Sequence, residues 1–166
     1  MKKLNEKGFT LVELLAVIVV LAIIMVLTVP SVLSSMNSAR QSSFLIYAGK
    51  MLEAAQGKYQ SESLLTTPST CYNLSALSGN GSTQYKGVVK VSIGTDGSPV
   101  FKLQMYDNNY QIGFKADTNS GDVADGVTYA NIETIKGNLA SKKPLQAAPS
   151  ATDAAKAPYN VACPAA

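Results

Sequence analysis

Hydrophobic and polar positions change rhythm three times along this chain. From Phe9 to Val29, twenty-one residues run apolar with Glu13 as the one charge. As a helix rising ~1.5 Å per residue the run is about 31 Å long, the hydrocarbon thickness of a bilayer. Pro30 follows, and because proline lacks a backbone donor, Val29-Pro30 predicts a kink or local break. Beyond it Leu33, Met36, Phe44, Tyr47, Ala48, Met51, Leu52, Ala55 and Tyr59 recur at intervals of three and four, the period of an amphipathic helix. The pattern predicts one long helix from Phe9 to Gln60, apolar all round in its first half and one-sided in its second. The Ser-Thr-Pro cluster from Ser61 to Ser69 ends it.

From Tyr85 to Lys115 the period falls to two. Val89, Val91 and Ile93 alternate with Lys90 and Ser92; Phe101, Leu103 and Met105 alternate with Lys102 and Gln104; Tyr110, Ile112 and Phe114 follow. Asp96-Gly97 and Asp107-Asn108-Asn109 are turn signals. These runs predict a three-strand antiparallel meander with one apolar face, which needs a helix to cover it. A fourth strand is expected around Val127 to Ile135. From Gly137 onward the Ala-, Pro-, Ser- and Lys-rich chain reads as irregular coil. The fold class is α+β. Its parts are a short segment 1–8, an apolar helix 9–30, an amphipathic continuation 31–60, and a β head 61–166 with an irregular carboxyl end.

Charge sharpens the first part. Lys2, Lys3 and Lys7 precede the apolar run with no comparable cluster just after it, which keeps the amino end cytoplasmic and sends the remainder outward. Without the first eight residues, 11 basic and 10 acidic side chains remain of the 14 and 11 in the whole chain. So near-neutral a remainder gives no electrostatic case for nucleic acid binding. A cleavable signal peptide has a shorter hydrophobic run and a small-residue cut site, and a plain anchor has no use for a carboxylate five residues into the span. Neither reading explains Glu13.

The chain has no histidine, so imidazole catalysis and His-containing metal sites are excluded. No catalytic constellation stands out, and no cofactor is expected. Cys71 and Cys163 lack CxxC spacing; with an export signal they read as one disulfide, against the alternative of two free thiols. A loop of that length would stabilise the head by about 4 to 5 kcal/mol in the chain-entropy account.

Asp117, Asp122 and Asp125 beside Gly121 and Gly126 suggest a calcium loop, but the spacing is not that of an EF-hand. Lys136, Lys142, Lys143 and Lys156 are interleaved with acids and read as a mixed solvated face. Asn73-Leu74-Ser75 and Asn80-Gly81-Ser82 fit the glycosylation pattern, as many unmodified loops do.

A basic leader ending in Gly8, then Phe9, then glutamate as the fifth residue after it, opening an apolar helix, resembles the processing and assembly signal of type IV pilins. The run Gly8-Phe9-Thr10-Leu11-Val12-Glu13-Leu14-Leu15 carries the resemblance. It implies a pilin fold, cleavage after Gly8 by a prepilin peptidase and N-methylation of Phe9. It further implies insertion in the bacterial cytoplasmic membrane as a precursor, and polymerisation by membrane assembly machinery into an extracellular homo-oligomeric filament. Adhesion, motility and DNA uptake are the roles such filaments serve. Glu13 would meet a neighbouring subunit's amine and set the stagger, and Pro30 would let the helix loosen on packing. A cysteine pair commonly ties down the carboxyl-terminal region in that family, although here the loop spans nearly the whole head. The alternatives are a pseudopilin of a secretion or DNA-uptake machine, and a membrane-anchored surface binding protein.

Overall fold

The structure is a computed structural model that describes residues 10–78, 84–141, 143–154, 159, 162 and 163. Two compact units divide the chain, residues 1–39 and 40–166. The first helix, α1, is assigned from Leu11 to Ser63 and contributes to both.

In the first unit every described residue is solvent-exposed. Of the expected kink or local break at Pro30, the break is not present: the helix continues through it. Proline costs the helix one hydrogen bond, to the carbonyl of Val26. Nearby hydroxyls fold back on the backbone, Thr28 Oγ1 donating to Ile24 O at 3.0 Å and Ser35 Oγ to Ser31 O at 3.1 Å. Leu33 and Met36, expected on the covered face, are exposed. The covered stripe starts only at Gln41.

The second unit is built on that stripe. Gln41, Phe44, Leu45, Ala48, Gly49, Met51, Leu52 and Ala55 are buried, and the apolar ones among them belong to the core formed with the sheet. The sheet has five strands in the order β1-β2-β3-β4-β5, all pairs antiparallel: β1 Cys71–Asn73, β2 Lys86–Ile93, β3 Pro99–Tyr106, β4 Tyr110–Ile112 and β5 Gln146–Ala147. A short helix α2, Leu74–Leu77, follows β1, and α3, Tyr129–Ala140, precedes β5. Val89 lies opposite Leu103 and Val91 opposite Phe101. Both pairs face α1 in the core. The expected meander is present as β2, β3 and β4, and its turns use the expected residues. Ser98 N donates to Asp96 Oδ1 at 3.0 Å, and Asn109 N and Tyr110 N both donate to Asp107 Oδ1 at 2.7 Å.

Three expectations fail here. Ile93 is 63% exposed, because it sits at the hairpin end of β2 beyond the core. The stretch from Val127 to Ile135 is not a fourth strand. Val127 makes an isolated bridge to Leu103, and then Thr128 caps α3 in a reciprocal box with Asn131. Ile132 and Ile135 are buried and Leu139 packs against the core, at intervals of three and four that suit a helix. The carboxyl-terminal region is not all coil either: α3 extends to Ala140, Leu145 is buried, and β5 pairs with β4.

Candidate functional site

The residues singled out in the sequence fall into two places. Gly8 and Phe9 lie outside the described residues. Glu13 stands in the first turn of α1, and Pro30 is 17 residues further along it, about 25 Å of helical rise.

Glu13 is engaged locally. Thr10 N and Thr10 Oγ1 each donate to Glu13 Oε2 at 2.9 Å, while Glu13 N donates to Thr10 Oγ1 at 3.4 Å. This is a capping box: a hydroxyl residue just before the helix and a glutamate three positions on satisfy each other's backbone donors. Thr10, which the sequence pattern did not single out, is the helix cap that engages Glu13. Its signal, T-x-x-E before an apolar run, is present in the chain. Leu11 through Leu33 beyond it expose leucine, isoleucine, valine and methionine on all sides. The helix is long and apolar enough to cross a membrane. The Glu13 carboxylate thus sits at the mouth of an apolar segment, at a helix amino terminus where the dipole favours negative charge.

The second place is the disulfide that joins Cys71 of β1 to Cys163. Cys163 N also donates to Asn73 Oδ1 at 3.1 Å, so the side chain of one glycosylation candidate is used to dock the carboxyl end. Next to β1, Glu62 accepts from Ser69 N at 2.9 Å and from Tyr72 Oη at 2.8 Å. These bonds hold the Glu62 carboxyl below its ordinary range, and burial drives the Tyr72 hydroxyl upward. The turn from α1 into β1 is thus tied down at both ends.

The carboxylates of the acidic loop are engaged by protein groups. Among the described residues no group of three potential ligand side chains converges. Asp117 accepts from Asn119 N and Ser120 Oγ, Asp125 pairs with Lys102, and Asp122 is only 4% exposed. Asp122 Oδ1 accepts from Gly113 N at 2.9 Å and Val123 N at 2.8 Å, and Oδ2 from Gln146 Nε2 at 3.3 Å. Burial pushes its carboxyl up to about 6 against the opposing pull of the two backbone donors. Gly113 at the end of β4 has φ +80°, and a Cβ there would lie 2.3 Å from Leu103 O. Asp122 is therefore a structural clasp joining the end of β4 to β5. Lys142, Lys156 and Asn80-Gly81-Ser82 lie outside the described residues.

Residues 3–29 match the family model of the prokaryotic N-terminal methylation motif, the signature shared by type IV prepilins and pseudopilins. The match covers the basic leader and the apolar run, about a sixth of the chain, and the motif is not that of an enzyme family. Comparison with curated proteins found no match, and comparison with solved structures found none.

Proposed function

We propose that the chain is the structural subunit of a type IV pilus. The observation that carries this reading is the capped Glu13 opening a fully exposed apolar helix inside the methylation motif. The leader lysines hold the amino end at the cytoplasmic face of the membrane, so a prepilin peptidase there cuts after Gly8 and the amine of Phe9 is methylated. Glycine at the cut leaves the backbone open to the protease.

Cleavage leaves a cationic amine next to Thr10, one turn from Glu13. When subunits leave the bilayer and bundle their apolar segments, the carboxylate of one meets the amine of a neighbour, and any other stagger strands a charge in a low-dielectric interior. The pair thus acts as a registry mark. The capping box gives it geometry, since Thr10 N and Oγ1 both donate to Oε2 and orient the carboxylate. Pro30 removes one rung of the helix and is the point at which α1 can extend in the filament. Assembly depends on a membrane-embedded machine and ends in an extracellular homopolymer with the disulfide-bonded heads outside.

Mass analysis of filaments sheared from the cell surface tests this. The subunit should begin at Phe9 and carry one extra methyl. An intact Met1 in the assembled form contradicts the reading. Processed chain that never appears in sheared filaments points instead to a pseudopilin.

A further inference from the structure

The face of the sheet turned away from α1 carries a row of charge that neither the core nor the assembly reading uses. Val89, Val91, Phe101 and Leu103 point to the core. The residues between them point the other way, and the register places Cys71 beside Lys90 and Lys90 beside Lys102. Two ammonium groups directly opposite each other on adjacent antiparallel strands repel, with Cβ atoms about 5 Å apart. One carboxylate answers them: Asp125 Oδ2 lies 3.3 Å from Lys102 Nζ. Asp125 does so from φ +68°, the left-handed region that Asp and Asn adopt more readily than other side chains. Lys90 has no carboxylate within ion-pair distance among the described residues.

The row forms one wall of a cleft of about 370 Å³, lined by Thr70, Cys71, Lys90, Ser92, Lys102 and Asp125 among others. That volume lies within the range of small-molecule sites, at its lower end. The wall is stiff, because Cys71 is tied to Cys163, Thr70 O accepts from Val91 N at 2.8 Å, and Leu103 and Val127 exchange both backbone hydrogen bonds at 2.8 Å beside Asp125.

We propose that this cleft binds the phosphate or carboxylate group of an acidic sugar. The anion bridges the Lys90 and Lys102 ammonium groups, the hydroxyls of Thr70 and Ser92 supply neutral donors, and the sugar body fills the remaining volume. Asp125 serves as the occupant's competitor, holding Lys102 in place in the empty site and yielding it when an anion arrives. Every residue lining the cleft belongs to the second unit, so the site is independent of the pilus reading.

The test is a titration of the full-length chain in neutral detergent micelles, following backbone amide shifts. Inorganic phosphate and galacturonate are the probes, and sodium chloride at matched ionic strength is the control. Saturable shifts confined to the segments around Thr70, Lys90, Lys102 and Asp125 are expected. A response to phosphate alone identifies a phosphate-bearing ligand, a response to galacturonate alone identifies a sugar carboxylate, and a response to both identifies the shared anion chemistry. Lys90→Gln should weaken binding about tenfold or more, as loss of a charge-assisted hydrogen bond does. Asp125→Asn, which tolerates the left-handed conformation, should tighten binding roughly two- to fivefold, because an exposed competing ion pair is removed. Lys136→Gln, whose partner is Glu133 on α3, should change nothing. Shifts that follow sodium chloride equally, or weaker binding in Asp125→Asn, overturn the proposal.

Discussion

The two units of this chain solve opposite problems. Residues 40–166 bury aliphatic and aromatic side chains from α1, the sheet and α3 in one core and close it with a disulfide. Residues 10–39 bury none. Apolar surface left in water is unfavourable by about 25 cal/mol per Å², so the first unit is stable only in lipid or against other apolar helices, while the second carries its own stability. Mutations in one unit should therefore move stability and leave assembly chemistry alone, and mutations in the other should do the reverse.

The largest expected effect on the folded head comes from the disulfide. Replacing Cys71 and Cys163 by serine should lower stability to denaturant by about 4 to 5 kcal/mol at most, while helicity from the apolar segment persists in micelles. An unchanged denaturation midpoint would show that the head does not need its closure.

Next is Asp122. Its folded pKa is raised to about 6, above the ordinary carboxyl value, so the folded state binds the proton more tightly than the unfolded state. The stabilising contribution is complete below about pH 4 and is lost as pH rises through about 6. A shift of this size corresponds to about 2 to 3 kcal/mol. With no histidine in the chain, thermal melts between pH 5 and 7.5 should show the head growing more stable on acidification. Asp122→Asn should flatten that slope, and a slope retained in the variant would remove Asp122 as its source.

The smallest effect belongs to Thr10. Thr10→Ala should reduce helix stability at the amino end by about 1 kcal/mol, the value of an N-cap, and should leave the melting of the head untouched. Amide exchange of Leu11 to Leu14 in micelles would rise while exchange in β2 and β3 stays constant. Faster exchange in the strands as well would break the independence of the two units.

What the sequence revealed follows the same division. The long helix was legible because twenty-one apolar residues followed by a 3.6 period allow one reading. The meander was legible because Val89 to Ile93 and Phe101 to Met105 each alternate apolar and polar residues over five positions. Strands β1 and β5, three and two residues long, are too short for any period to register, and β5 exists because β4 offers it an edge. The start of α3 reads as a strand in the sequence because Val127, Thr128 and Tyr129 have strand composition, although the capping pair Thr128 and Asn131 signals a helix start. Gln104 and Gln111, 5% and 7% exposed, alternate like solvent-facing residues. Tyr159 packs against Tyr106, the β3 residue opposite Gln111, and against Phe114, and no local pattern announces that contact. Glu13 was legible as an anomaly, a charge where neither an anchor nor a signal peptide uses one. Its partner Thr10 was not, because a threonine in an apolar run attracts no notice until the helix boundary is known.

We propose that Glu13 serves assembly and not the fold or the membrane. The direct test is the yield of sheared surface filaments from Glu13→Ala, measured beside membrane insertion, cleavage after Gly8 and head folding. A carboxylate within a span disfavours burial in lipid by up to a few kcal/mol, so insertion should be unchanged or improved, and the head should form its disulfide and melt normally. Filaments should be absent, and Glu13→Asp, one methylene shorter, should restore them only in part. Normal filament yield from Glu13→Ala would contradict the account.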